Sequence, residues 1–487
     1  MKTCLRIACI CLATGFLSLA ASDADHVTQY GITWTFDKAH PVGQFVTGDW
    51  WVVGPVVIVS VTPTPGKNAA PEKYAVKANQ FGDTAMQQDE RMRNGSMVVL
   101  TASGSQGYDS RQRNYDPGLS VTFPYTLAAN RSLISTISND QLPAPNFMAK
   151  HIWASEQHGN YVLKTAAVLT ALSEVPPTDA FRPPYAGMDK PIYRAKDLNY
   201  ALLPQLKPVD GTPDPDEIIR FFERPWLDHQ PSWLSTYPCE NNPAYGREYC
   251  RAVGYGGCML LLDIPKEKKD KLLIHFVQLG LDLHGLVENG MQYAADGGLW
   301  GGRKYPIVFA GLMLGDKKMQ NLPNTILFAE DQQTYYGRSF WGHSVLWQMV
   351  SHHGPRTPFE EKNPKAYDDM DKRSDGYRIC CNGHSWVGIA LAARWMKAME
   401  AWNHDAYFDY CDRWMDPKEL ELDKQRPSKN AWSTKATFTD DWITSMWQAY
   451  RASAPQQNKA KKNLKWLWKG GEGSWVTNPP PVAESPR

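Results

Sequence analysis

The sequence ENGMQYAADGGLWGGRKYP, at residues 288–306, is the stretch around which the chain is organised. It lies between two apolar segments with helical periodicity. Gly297, Gly298, Gly301 and Gly302 allow turns and close approaches that other residues do not. A loop that combines such glycines with polar and aromatic side chains, held between two helices, is a typical place for a binding site. Those side chains are Asn289, Asp296, Trp300, Arg303 and Tyr305.

Size and charge restrict the class of protein. The 487 residues predict two or three domains with a large buried core. Lys and Arg total 52 and Asp and Glu total 51, so the net charge does not favour a nucleic-acid partner or an acidic membrane. The 19 Trp and 22 Tyr residues suit stacking on carbohydrate, although most of them are expected to fill the core.

Residues 1–21 are typical of a secretory signal. Lys2 and Arg6 supply positive charge, residues 7–19 form an apolar run, and Ala20 and Ala21 suit a cleavage site. No later stretch approaches ~18 consecutive apolar residues, so no membrane span is expected. The sequence therefore predicts a secreted or periplasmic protein.

The cysteines agree with export. Of the nine cysteines, six remain after the signal, in two groups along the chain, and six cysteines allow ~15 disulfide pairings. We expect one bridge between the two groups. A zinc site at Cys380, Cys381 and His384 is a weaker alternative because adjacent cysteines do not match the usual ligand spacing.

Residues 27–185 have the pattern of β-structure. Short alternating or β-branched runs recur between prolines and glycines, and no long helical period interrupts them. This pattern predicts an antiparallel β-sandwich. The Pro-rich residues 186–215 follow as a linker.

The second half has helical periodicity and predicts an α/α toroid or an incomplete toroid over residues 216–454, with a plain helical bundle as the alternative. Predicted helices include 246–263, 305–314 and 339–352. A basic tail containing Trp and Pro occupies residues 455–487. The predicted fold class is therefore multidomain α+β, with the β-sandwich first.

Polar residues interrupt the helical half in four clusters, each at a predicted helix boundary. In a toroid the loops of one face gather around a central groove, which would bring these side chains together. The candidate catalytic residues are Asn382, His384, Tyr335, Tyr336, Tyr377 and Arg303. The candidate substrate-binding residues are Asn241, Asn242, Tyr245, Arg247, Asn289, Asp296, Trp300, His343, Arg378 and Trp386.

This set suits β-elimination at a uronic acid. The reaction removes a proton from the carbon next to a carboxylate, so amide, imidazole or guanidinium donors must first neutralise that carboxylate. A Tyr or His then takes the proton, and a Tyr returns one to the leaving oxygen. No metal or organic cofactor is needed. The expected partner is an acidic polysaccharide or oligosaccharide.

These features together resemble the polysaccharide lyases of the alginate, heparin and chondroitin type. The segment NGHSW at residues 382–386 is similar to the Asn-His pairs that neutralise the uronate in those enzymes, although a glycine separates Asn382 from His384 here. The domain order also differs, because the helical domain comes first in many of them. The resemblance implies a lyase that acts without a cofactor.

Two alternatives remain open. A glycoside hydrolase requires two carboxyl groups across the scissile bond, and Asp296, Glu330, Asp331 and Asp375 could supply them. A glycan-binding protein without catalytic activity requires only the Trp-rich loops. The fold by itself does not distinguish these alternatives from a lyase.

Overall fold

A computed structural model describes residues 21–66, 92–110, 114–139, 162–229, 238–243, 246–350, 359–427 and 440–455, together with two short backbone strands near the C-terminus. The described chain begins with a curled β-sheet region and continues into a helical region. This order confirms the α+β prediction.

The N-terminal region forms one eight-stranded sheet with the order β5-β7-β8-β3-β2-β4-β6, and β1 also pairs with β2. Neighbours are antiparallel except β3 and β8, which are parallel. The eight described strands of this region thus join a single sheet, and the two-layered sandwich stays a prediction. The strands are β1 (Ser22–Gln29), β2 (Ile32–Gln44), β3 (Trp50–Val53), β4 (Val56–Thr62), β5 (Ser96–Met97), β6 (Tyr125–Leu127), β7 (Arg131–Ser138) and β8 (Leu163–Leu172).

Local sequence explains the first hairpin. Tyr30 and Gly31 both have positive φ values, of 50° and 81°, which matches the tight turn that joins twisted antiparallel strands. Ile32, Trp34 and Phe36 alternate along β2 with their side chains buried, so one face of the strand packs into the core.

The helical region begins at residue 215. Its longer helices are amphipathic or almost wholly buried, and short helices connect them. The helices are α1 (Pro215–Ile219), α2 (Gly246–Leu261), α3 (Lys266–Glu288), α4 (Lys304–Leu314), α5 (Lys317–Gln320), α6 (Ala329–Gln333), α7 (Asp369–Tyr377), α8 (Gly383–Trp395), α9 (Met399–Trp402), α10 (Asp405–Trp414), α11 (Pro417–Asp423) and α12 (Asp441–Tyr450).

Helices α2 and α8 pack closely at the centre of this region. A Cβ atom at Gly388 would lie 3.1 Å from the Cα atom of Gly254, so both helices depend on glycine at their crossing. Consecutive helices α2, α3 and α4 also pack side by side. This pairing agrees with helical hairpins, while closure into a toroid stays a prediction.

A buried ion network joins the two regions. The Arg182 guanidinium donates to Asp49 beside the sheet, at 2.7 Å, and to both carboxylate oxygens of Asp282 on α3. All three side chains are buried. The Tyr30 hydroxyl also donates to the Glu223 carbonyl beyond α1, at 2.9 Å. The sheet and the helices are therefore tied together by polar contacts.

The helix predicted at 339–352 is wrong. Its described part, together with the residues before it, forms a hairpin of β9 (Thr334–Tyr336) and β10 (Val345–Trp347). Gly342 has φ 84°, which ends any helical run and reverses the chain. Strands β11 (Trp466–Lys469) and β12 (Ser474–Thr477) pair in the tail. The predicted signal at 1–21 lies, except for its last residue, outside the described residues.

Candidate functional site

The glycine-rich loop at residues 289–303 lies where several distant segments meet. The Gly297 amide donates to the Val350 carbonyl at 2.8 Å. The Gly297 carbonyl accepts from the side-chain amides of Gln333 and Asn382, both at 3.0 Å, and Asn382 also donates to Gln333. These contacts join the loop to α6, to the segment that follows β10 and to the start of α8.

Close packing fixes the glycines of this loop. A Cβ atom at Gly297 would lie 2.9 Å from the ring of Tyr377, and the φ of this glycine is 60°. A Cβ atom at Gly298 would lie 2.6 Å from the carbonyl oxygen of Cys381. Both contacts are shorter than ordinary van der Waals separations. The loop therefore lies directly on the turn between α7 and α8.

That turn is a π-helix over Arg378–Asn382 and contains a disulfide between the adjacent residues Cys380 and Cys381. The Arg247 guanidinium donates to the Cys380 carbonyl at 2.8 Å. Single π-helical turns inside α-helices occur frequently at functional sites. The segment from α7 to α8 is thus held by a covalent link and a charged donor, immediately after Tyr377.

The disulfide prediction needs correction. A bridge between the two cysteine groups is absent from the described residues, because the bond joins Cys380 to its neighbour. No cluster of three or more metal-ligating side chains occurs in the described ranges, so the zinc alternative gains no support there. The four other cysteines of the described residues are reduced and buried: Cys239, Cys250, Cys258 and Cys411.

Arg303 lies in the interior and not at a surface groove. Its guanidinium donates to both carboxylate oxygens of Asp228, at 2.9 and 3.2 Å, and both side chains are fully buried. It also lies over the rings of Tyr249 and Trp300, at 4.6 and 5.6 Å. A saccharide would have to displace this packing to reach Arg303, so we leave it out of the proposed site.

Asn382 and His384 are buried as well. The His384 Nδ1 atom lies 3.2 Å from the Ile379 carbonyl, and burial together with the nearby Arg247 lowers the pKa of His384 well below its ordinary value. A neutral, buried imidazole cannot neutralise a substrate carboxylate. Asn382 instead holds the Gly297 carbonyl. Both residues support the loop and do not face solvent.

The three candidate tyrosines differ in exposure. Burial, followed by Glu361, raises the pKa of Tyr335, and burial followed by Asp409 raises that of Tyr336. The Tyr336 hydroxyl donates to Asp409 at 2.7 Å. Neither phenol is suited to act as a base. Tyr335 is buried, whereas Tyr336 and Tyr377 are both partly buried, and Tyr377 lies against the glycine loop.

Tyr377 has two charged neighbours. Burial raises its pKa, the charge of Asp296 raises it further, and the charge of Arg373 lowers it. Asp296 is partly buried and Arg373 is exposed. Arg373 lies one helical turn before Tyr377 on α7, and Asp296 precedes Gly297, which packs on the Tyr377 ring, so a guanidinium and a carboxylate flank the phenol. We call these three side chains the Tyr377 group.

The remaining candidates do not join this group. Arg378 is fully buried and pairs with Asp375 and Asp423. Asn289 ends α3 through a 2.7 Å bond to the Gly285 carbonyl. Tyr245 lies outside the described residues. Asn241, Asn242, Arg247, Trp300 and Trp386 are buried, and His343 lies in the β9–β10 hairpin.

Two features of the site were missed by the sequence interpretation. Arg373 lies in a charged run at 368–375, and such a run is typical of a solvent-exposed helix face. Gln333 belongs to a polar stretch with nothing to distinguish it from its neighbours. Arg373 and Tyr377 lie four positions apart on α7, so helical structure alone makes them neighbours, whereas only the tertiary structure places Gln333 against Gly297.

An open depression of about 580 Å³ lies elsewhere, between the linker, α3 and α5. Its polar groups largely satisfy one another: the Tyr193 hydroxyl donates to Asp316 at 2.6 Å, and His284 lies 3.7 Å from Glu288. Acidic and basic side chains alternate around it. This arrangement gives no preference for an anionic or a cationic ligand.

Comparison of the chain with protein-family models, with curated proteins and with solved structures gives no match. None of the described helices combines the length and the apolar character that crossing a membrane requires.

Proposed function

We propose that the protein is a secreted polysaccharide lyase that cleaves a uronate-containing polymer by β-elimination at the Tyr377 group. In this proposal the N-terminal region is a β-sandwich accessory domain and the helical region is an incomplete α/α toroid that carries the site. The substrate would lie over the glycine-rich loop, beside Tyr377 and Asp296.

One observation carries the proposal. The phenol of Tyr377, at the end of α7, lies within electrostatic reach of a carboxylate and of an exposed guanidinium, and it packs on a glycine-rich loop that Gln333, Asn382 and Val350 hold in place. β-Elimination needs a positive group for the uronate carboxylate, a base for the adjacent proton and an acid for the leaving oxygen. Arg373, Asp296 and Tyr377 supply one group of each kind.

The roles follow from charge and protonation. Arg373 would bind the substrate carboxylate through paired hydrogen bonds and withdraw electron density from it. Asp296 would take the proton from the adjacent carbon, and the released electron pair would form the carbon–carbon double bond as the glycosidic C–O bond breaks. Tyr377 would give its proton to the leaving oxygen. Proton exchange with water then restores both residues.

A raised pKa suits Tyr377 to the role of acid. Burial and Asp296 keep the phenol protonated at neutral pH. An acid must hold its proton until the leaving oxygen develops charge. The phenol would therefore act as a donor, while the carboxylate acts as the base. Arg373 thus takes over the neutralisation of the substrate carboxylate, which the sequence predicted for Asn382, His384 and Arg303.

The hydrolase alternative is weakened by burial of its carboxyl groups. Asp375 pairs with Arg378 and Arg426, Asp331 accepts from Lys304, and Glu330 is fully buried. Of the four carboxylates considered, Asp296 alone is partly exposed. A hydrolase needs two carboxyl groups that reach the same glycosidic bond.

The test is a screen of uronate polymers, such as alginate, polygalacturonate and chondroitin, read by ultraviolet absorbance of the unsaturated product and by reducing ends. We expect both signals from the wild-type protein. Tyr377→Phe should lower kcat by roughly 10²–10⁴-fold. Tyr200→Phe, which changes a partly exposed phenol in a 3₁₀ turn, should leave kcat unchanged.

Reducing ends without ultraviolet absorbance would reject elimination and favour hydrolysis. Retention on immobilised polymer without either signal would favour a binding protein. Full activity of a folded Tyr377→Phe variant would remove Tyr377 from the mechanism even if the protein proves to be a lyase.

A further inference from the structure

The tip of the β9–β10 hairpin is a tight turn that carries two adjacent aromatic residues. The Gly342 amide donates to the Ser339 carbonyl and the Ser339 amide donates to the His343 carbonyl, both at 3.0 Å. Gly342 adopts φ 84°. The Ser339 hydroxyl also lies 2.8 Å from Nδ1 of His343. Phe340 and Trp341 thus occupy the two central positions of a four-residue turn.

Three further contacts anchor this turn to the helical region. The Phe340 amide donates to the Glu360 carbonyl at 2.8 Å. The His343 Nε2 atom lies 3.0 Å from a carboxylate oxygen of buried Glu419. The indole of Trp341 packs against the guanidinium of Arg426, at 4.7 Å. The backbone and both flanks of the turn are therefore fixed before any ligand arrives.

The Phe340 side chain nevertheless points to solvent. Its relative exposure is 49%, and its ring meets Trp341 edge to face, with centroids 5.7 Å apart. Arg338 and Ser344, at the ends of the turn, are exposed too. A single exposed apolar side chain needs no explanation. An aromatic pair on a rigid turn that also carries an exposed arginine is different, because fixing the aromatic pair in advance lowers the cost of binding.

The turn is linked to the Tyr377 group through residues that lie between them. At the base of the hairpin, Gln333 donates to the Gly297 carbonyl of the glycine-rich loop. At the tip, Arg426 lies under Trp341 and 3.4 Å from Asp375, which is two positions before Tyr377.

We propose that Phe340, Trp341 and Arg338 form a binding subsite for a uronic-acid residue of the polysaccharide, which rests on the proposed function. The apolar face of a pyranose ring stacks on Phe340, with Trp341 supporting it from the side. Arg338 binds the carboxylate of the same sugar. The subsite holds the polymer and takes no part in bond breaking.

The experiment measures binding of full-length protein to defined probes by calorimetry. The probes are hexamers of galacturonate and mannuronate, their trimers, and the neutral hexamer of cellulose. Measurements use the Tyr377→Phe background, so that no probe is cleaved. The variants are Phe340→Ala, Phe340→Leu and Arg338→Gln, with Val175→Ala, an equally exposed apolar residue of the β-region, as the matched control.

Phe340→Ala should weaken binding of the preferred acidic hexamer roughly fivefold, and Phe340→Leu nearly as much, because the loss is that of an aromatic face. Arg338→Gln should remove most of the preference for the acidic over the neutral hexamer. Val175→Ala should change neither. Circular dichroism confirms that each variant is folded.

Two outcomes overturn the subsite: equal affinity of Phe340→Ala and the parent for every acidic hexamer, or no binding of any acidic probe by the parent. The proposed function is tested separately. If the wild-type protein forms no unsaturated product while Phe340→Ala loses affinity, the subsite stands and the lyase assignment fails. If the wild-type protein forms the unsaturated product and Phe340→Ala keeps its affinity, the lyase assignment stands and the subsite fails.

Discussion

Replacing Arg182 by Met should test whether the buried ion network holds the β-region to the helices. The guanidinium donates to Asp49 at 2.7 Å and to the two oxygens of Asp282 at 2.9 and 2.5 Å. Methionine fills a similar volume without charge, so the variant leaves two buried carboxylates without their cation. Removal of one partner from such a buried network costs roughly 3–5 kcal/mol of unfolding free energy.

The loss should depend on pH. Burial already raises the pKa of Asp282 above its ordinary value, although Arg182 opposes the rise. Without Arg182 the pKa of Asp282 rises further. A carboxyl with a raised pKa binds its proton more tightly in the folded chain than in the unfolded chain. The free energy of unfolding therefore falls as pH rises from the pKa of the unfolded chain to that of the folded chain. The difference between variant and wild type should therefore be largest at pH 7 and smaller at pH 5.

Urea unfolding of both proteins at pH 7 and pH 5, followed by circular dichroism, measures this difference. A second variant that combines Arg182→Met with Asp49→Asn and Asp282→Asn removes the stranded charges and should recover much of the loss. A loss below ~1 kcal/mol at pH 7, or an equal loss at both pH values, would contradict the reasoning.

Three other predictions concern the glycine-rich loop and its support. Burial raises the pKa of Glu330 to about 7. Folding therefore favours the protonated carboxyl, and the wild-type protein loses stability as pH rises from the ordinary pKa of a glutamate to 7. In urea titrations Glu330→Gln should be more stable than the wild type by roughly 3 kcal/mol at pH 8 and equally stable near pH 4. Gly298→Ala should destabilise the protein by ~1–3 kcal/mol because the new Cβ atom would lie 2.6 Å from the Cys381 carbonyl oxygen. Gly301→Ala, whose Cβ atom would have its nearest neighbour at 3.3 Å, should lower the melting temperature less. Peptide mass mapping should find Cys380 and Cys381 bonded to each other. A peptide that links either of them to another cysteine would refute this disulfide. Reduction by a dithiol should lower lyase activity.

Local patterns were sufficient for much of the secondary structure. The alternation of Ile32, Trp34 and Phe36 and the periodic leucines of α3 depend only on neighbouring residues, and both elements form where expected. The segment at 339–352 failed because its apolar residues fit a helix and a hairpin equally well. Gly342 and the contacts of the turn with Glu360 and Glu419 decided for the hairpin.

The sequence by itself determined the order of β-structure and helices, and it identified the glycine-rich loop as the meeting point of polar segments. Only the tertiary structure decided which polar groups of those segments face solvent. Arg303 is buried because Asp228, 75 positions away, supplies its counter-charge. Tyr377 packs against the glycine-rich loop because Gly297 carries no Cβ atom that would meet its ring. Burial depends on partners distant in the chain, and no local pattern contains that information.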